Sequence, residues 1–136
     1  MYRNILVAIA DDERERTDEA LALAAAIGAK DARVTLLHVL EAIPPFALSH
    51  IPEEARANRR SDAEAMLRGI AERTALPVEA VVKTGHGGHT IVEYAGEAGT
   101  DCILLNSHRP ALQDIFFGST AAHVVRHAPC AVHVLR

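Results

Sequence analysis

Five apolar runs of strand length punctuate this chain, and each gap between them has room for a helix. The runs are Asn4–Ala10, Arg33–Leu40, Val78–Thr84, Cys102–Leu105 and Ala131–Leu135. Most read as near-continuous aliphatic stretches, the pattern of strands buried on both faces rather than on one. Consecutive strands separated by a helix pair in parallel, because a parallel neighbour can be reached only by a long, right-handed crossover. The order βαβαβαβαβ therefore predicts an α/β fold: an open, doubly wound, five-stranded parallel sheet with helices on both faces. At 136 residues the chain is read as one domain, 1–136, with no internal repeat or boundary.

Within the gaps, apolar residues recur at three-four spacing. Arg14–Ile27 offers Ala20, Leu23, Ala24 and Ile27 to the core and is stopped by Gly28. A long helix from Glu53 to Thr74 offers Ala55, Ala63, Met66, Leu67 and Ile70. A short one, Thr90–Ala98, offers Ile91, Val92 and Ala95 and ends at Gly99; Gly85, Gly87 and Gly88 before it read as a flexible turn. The stretch Glu41–Pro52 is irregular, with Pro44, Pro45 and Pro52 among Phe46, Leu48 and Ile51, and suggests a lid or contact surface. Aromatics make up only 4% of the chain and Trp is absent, so Ala, Val, Leu and Ile must build the core.

A net charge of −4 gives no electrostatic reason to expect a nucleic-acid partner. Arg56, Arg59 and Arg60 lie among Glu53, Glu54, Asp62 and Glu64, which reads as a solvated helix face. No apolar run approaches the ~20 residues of a membrane span, and the N-terminus turns acidic too soon for a signal peptide. The expectation is a cytoplasmic protein without a membrane partner. Cys102 and Cys130 both open apolar strands and read as small buried hydrophobes, with a redox pair as the lesser alternative.

The most chemically pointed stretch is DCILLNSHRPALQDIFFGST, Asp101–Thr120. A buried strand runs into a polar turn, and the loop ends at Gly118-Ser119-Thr120, where Ala121–His127 opens as a helix. The free N–H groups and positive dipole end of a first helical turn favour an anion. Gly118 permits close approach to the backbone, Ser119 and Thr120 add hydroxyls, and Arg109 can supply a charged fork. This pattern points to the phosphates of a nucleotide.

The pieces ILVAIADD, LLHV, TG followed by TIVEYA, and above all ILLNSHRPALQDIFFGSTAAHVVRHAPCAVHVLR resemble the universal stress protein family. The SHRP run before Gly118-Ser119 is similar to the bacterial F/G-type subgroup. The resemblance implies strand order 3-2-1-4-5 and a homodimer joined through the last strand, Val132–Arg136, with tetramers as a further assembly. It also implies an ATP-binding stress-response regulator, with Mg2+ as a companion of the phosphates. Ala8 and Ile9 would lie against the nucleotide and Val39 would meet the adenine. Ser107, His108, Arg109, Gly118, Ser119 and Thr120 would surround the phosphates. The family loop G-x2-G-x9-G-[ST] is matched in part: Asn106 stands at the first Gly, the second is replaced within Arg109-Pro110, and the loop is one residue shorter. Ala10 stands where the family commonly has Asp, which touches ribose recognition more than phosphate recognition.

Other clusters are read more plainly. His123 and His127 fall four apart on one helix face but lack a third metal ligand at a fixed offset. His86 and His89 read as solvated loop residues, and His38 and His133 as strand histidines with structural roles. Arg109 has a structural alternative, an ion pair with Asp114. Asp11-Asp12-Glu13 suits the start of the next helix or a phosphate-bound magnesium. No GxSxG elbow marks a nucleophilic hydrolase, so no catalytic residue is assigned. Two other functions stand beside nucleotide binding: a dimeric scaffold that takes no nucleotide, and a weak ATPase or autophosphorylating protein.

Overall fold

The computed structural model describes residues 1–10, 14–106 and 118–136. The elements follow in the order β1 (Tyr2–Ala8), α1 (Arg14–Ile27), β2 (Gly28–Glu41), α2 (Pro45–Leu48), α3 (Glu53–Arg73), β3 (Glu79–Gly85), α4 (Gly87–Ala98), β4 (Cys102–Asn106), α5 (Ser119–His127) and β5 (Ala131–Leu135). The strands form one parallel sheet of order β3-β2-β1-β4-β5. The chain winds outward from β1 to β3, then returns across the sheet to β4 and β5. Because each crossover is right-handed, that reversal moves the helices to the opposite face.

The two faces bury separate clusters. Beneath α1 and α3, Ile5, Val7, Val34, Leu36 and Leu104 meet Ala20, Leu21, Ala24, Ala63, Leu67 and Ile70. Beneath α4 and α5, Leu6, Leu37, Ile103 and Leu105 meet Ile91, Ala95, Ala121 and Val124. Each fully buried Leu or Ile contributes roughly 1.5–3 kcal/mol of transfer free energy. Leu23, Ile27, Met66 and Val92 pack at the margins of these clusters, whereas Ala55, in the first turn of α3, is exposed. Among the described residues, no helix is long and apolar enough to cross a membrane.

Besides shifts of one or two residues at β1, β3 and α5, three differences from the sequence reading have a physical cause. β2 begins at Gly28 rather than Arg33, but pairing jumps from Tyr2 opposite Gly28 to Asn4 opposite Arg33, so residues 29–32 bulge from the ladder. The connection after β2 holds the short helix α2, started by Pro44-Pro45. Finally, α4 starts at Gly87, and its first turn closes with the Thr90 N–H donating to the His86 carbonyl at 2.8 Å. The glycines there are not a flexible turn. Gly88 is buried against α5, and a Cβ on it would lie 2.9 Å from His123 Cβ, so the close helix contact requires glycine. At the other end of α4, Gly99 adopts φ 70°, the left-handed conformation of a helix stop.

Asp101 fixes the centre of the sheet. Its carboxylate accepts the Arg3 N–H at 2.8 Å and the Asn4 N–H at 3.0 Å, while its own N–H donates to the Asn4 carbonyl at 2.9 Å. Asn4 Nδ2 also donates to the Ala98 carbonyl at 2.7 Å. These bonds join residues almost a hundred positions apart, and they hold β4 beside β1.

Candidate functional site at the carboxyl ends of the central strands

The reversal of winding leaves the carboxyl ends of β1 and β4 side by side, with their crossovers departing to opposite faces. No connection fills the space between such ends, which is where open α/β sheets take ligands. At the end of β1, Ala8 is half-buried and Ile9 is buried. The Ile9 N–H donates to the Leu37 carbonyl at 2.8 Å. The Ile9 carbonyl accepts from His38 Nδ1 at 2.7 Å. A carbonyl can only accept, so Nδ1 carries the proton in this contact. His38 is buried at 4% exposure and anchors the strand end from below; it is a structural histidine. Val39, one residue on, packs half-buried toward the α4–α5 layer.

β4 ends in Asn106, whose side-chain Oδ1 is buried and accepts no hydrogen bond from the described residues. A buried carbonyl oxygen left unpaired costs about 1–3 kcal/mol, so this oxygen calls for a donor. Across the loop, Gly118 is the N-cap of α5, and its carbonyl accepts the Ala122 N–H at 2.9 Å. Among the described residues no side chain caps this end, and no acid occupies its first turn. Ser119 and Thr120 are exposed there. The first-turn N–H groups therefore lack an internal anionic partner among the described residues.

The neighbouring helix makes the contrast plain. Glu41, at the end of β2, accepts the Gly87 N–H at 3.1 Å through Oε1 and places Oε2 at 3.8 Å from His86 Nδ1. A carboxylate thus already sits at the start of α4. Thr120 Oγ1 lies 3.5 Å from where a Gly87 Cβ would stand, so both helix starts meet on one rim. One is filled by the protein's own acid, and the other meets no acid among the described residues. An uncapped helix start and a nearby acceptor are the chemical types that a phosphorylated ligand can use.

Ala8, Ile9, Val39, Gly118, Ser119 and Thr120 all lie at this end of the sheet. Ser107, His108 and Arg109 lie outside the described residues, as do Asp11, Asp12, Glu13 and Asp114. Sequence reasoning missed Glu41, since its helix start lies 46 residues on and no local pattern links them. Asn106 was legible only as a departure from a glycine position; its buried, unpaired oxygen is a tertiary property.

The remaining clusters are less productive. His89 belongs to α4 rather than a loop, pairs with Glu93 at 3.3 Å and approaches His123 at 6.4 Å between ring centroids. The His123 and His127 rings meet at 4.5 Å between centroids, tilted by 43°. Among the described residues, no group of three or more His, Cys, Asp and Glu side chains is placed to hold a metal ion. His133 is an exposed residue of the edge strand β5. The two cysteines are free. Cys102 pairs opposite Ala131 and joins the α1–α3 cluster, whereas Cys130 packs toward α4 and α5. Burial pushes the Cys102 thiol up to about 11 and raises Cys130 as well, so neither is an activated nucleophile.

Comparison with known proteins places these features in a family. The description "Universal stress protein family" matches residues 1–136. Universal stress protein G of Escherichia coli O157:H7 is 27% identical, covering 100% of both chains. Among solved structures, universal stress protein UspA from Lactobacillus plantarum superposes with a TM-score of 0.73 at 27% identity, over 99% of this chain and 98% of that one. The universal stress protein from Archaeoglobus fulgidus, solved in complex with dAMP, gives 0.68 at 18% identity over 99% and 98%, a likeness of fold. With the strand order, the helix layers and a family match spanning its whole length, this chain belongs to the universal stress protein family.

Proposed function

We propose that this chain is a nucleotide-binding regulator that takes an adenine nucleotide, ATP with Mg2+ in its fullest form, at the carboxyl ends of β1, β2 and β4. The observation that carries the reading is the start of α5, uncapped and free of acid among the described residues, beside a neighbouring helix start that Glu41 already fills. The dAMP complex of the Archaeoglobus relative supports the ligand class. In this reading Ala8 and Ile9 flank the nucleoside, the Val39 backbone meets the adenine and Asn106 accepts from the sugar or base. Ser107, His108, Arg109, Gly118, Ser119 and Thr120 surround the phosphates. Bound nucleotide supplies negative charge that orders the loop between β4 and α5, and so changes the surface offered to a protein partner. The protein acts in the cytoplasm as a homodimer joined along β5, Val132–Arg136, with tetramers built from such dimers.

Calorimetric titration of nucleotide-stripped protein with AMP, ADP, ATP and adenosine tests this. Saturable binding of the nucleotides supports it, and no binding of any of them leaves the dimeric scaffold as the function. Replacing Arg109 by Ala should weaken ATP by about tenfold, the scale of one charge-assisted contact, and leave adenosine unchanged. Equal weakening of both would remove Arg109 from the phosphates.

A further inference from the structure

A second cleft lies outside the nucleotide rim, at the corner where α2 and the start of α3 cover the ends of β2 and β3. It encloses about 320 Å³, within the range of small-molecule sites. Its apolar wall is Leu40, Ile43 and Leu48. Opposite stand Arg56, Arg59 and Arg60, with Thr84 nearby, and no acidic side chain lines it among the described residues. Three guanidinium groups facing apolar residues run against the charge of a chain that is −4 overall.

Two of the three arginines are held in place. Arg59 donates to the Glu41 carbonyl at 3.3 Å and Arg60 to the Val82 carbonyl at 3.2 Å. A carbonyl fixes a guanidinium without neutralising it, so both keep their charge and further N–H donors. Arg60 also pairs with Glu64 at 3.2 Å. The Arg56 backbone N–H donates to the Pro52 carbonyl at 3.2 Å, but its guanidinium has no hydrogen bond or ion pair among the described residues. Beside the cleft, α2 holds Phe46 at 79% exposure and Leu48 at 36%, set there by the rigid Pro44-Pro45 pair. An apolar wall, an exposed aromatic and two guanidinium groups, Arg56 and Arg59, without an ion pair among the described residues together describe one kind of occupant.

We propose that this cleft binds a small amphipathic anion, a carboxylate or phosphate on a short apolar body. The head group is held by Arg56 and Arg59, and the body lies along Ile43 and Leu48. The site is separate from the nucleotide rim, since Leu40 faces the α1–α3 layer while Val39 faces α4 and α5.

Octanoate and octyl phosphate, titrated into full-length protein and followed by amide NMR shifts, test the proposal. Saturable one-to-one binding is expected, with shifts at Leu48, Arg56 and Thr84; the tighter of the two probes identifies the head group. Acetate, which lacks the body, and 1-octanol, which lacks the charge, should each bind at least tenfold more weakly. The Arg56→Ala/Arg59→Ala variant should lose about tenfold in affinity while its AMP titration stays as in wild type. Leu48→Asn provides a second variant on a half-exposed residue, with a loss of severalfold. No saturable binding of either probe, wild-type affinity in the double variant, or displacement of octanoate by AMP would overturn the proposal. Co-sedimentation with phosphatidylglycerol vesicles in the absence of monomer binding would overturn it too, making the corner a membrane-facing surface.

Discussion

A single imidazole proton ties the second strand to the end of the first. His38 holds the carbonyl of Ile9 through its Nδ1–H, while the Leu37 carbonyl holds the Ile9 N–H, so the two together fix the strand end. Replacing His38 by Ala removes a buried hydrogen bond and opens a cavity. The expected cost is about 2–3 kcal/mol of unfolding free energy, read from urea titrations. Nucleotide affinity should fall with it, as the β1 end loosens. A variant as stable as wild type would show that the contact holds nothing. Sequence alone marked His38 as a strand histidine, correctly, but could not supply its acceptor 29 positions away. Asn106 posed the opposite difficulty: its place was visible, while the lack of a hydrogen bond to its oxygen depends on everything packed around it.

At the level of elements, the two helix starts on the rim divide the work between them. Glu41 sits at the start of α4 and adds a negative charge near the open start of α5. Glu41→Gln should cost only about 0.5 kcal/mol in stability, the scale of a surface charge at a helix end. It should tighten ATP by about two- to fourfold, because a like charge several ångströms from the phosphates repels them, and leave adenosine unchanged. Calorimetry on the variant checks both; weaker ATP binding would instead place Glu41 among the ligand's own contacts. The helices themselves were legible from apolar spacing: α3 and β5 start where the pattern put them. The start of α4 was not, since Gly87 and Gly88 carry the propensity of a turn, and what favours a helix there is tertiary: Gly88 against His123 and the Gly87 N–H on Glu41. The extension of β2 to Gly28 was hidden because the bulged residues 29–32 break the apolar pattern while the strand continues around them.

For the whole molecule, the strand order decides which surfaces remain to be used. β3 and β5 are the edges, and β5 presents Val132, Val134 and Leu135 only half-buried, with Val125 of α5 half-exposed beside them. An apolar edge of this kind is a template for a second chain. Val134→Asp should therefore convert a dimer to a species of one chain, 14.6 kDa, by light scattering, with the far-UV spectrum unchanged. A wild-type mass already equal to one chain would end the dimer reading. The overall layering was readable from the alternation of apolar runs, because parallel strands need crossovers and crossovers need helices. The order of strands was not contained in that alternation; here it rests on bonds such as those of Asp101, which report which strands are neighbours. The notch at residue 88 has a consequence for the molecule as a mechanical object. With no methyl group to hold them apart, α4 and α5 interlock through the base of His123, and any side chain at 88 would act as a wedge that levers the two helices off each other.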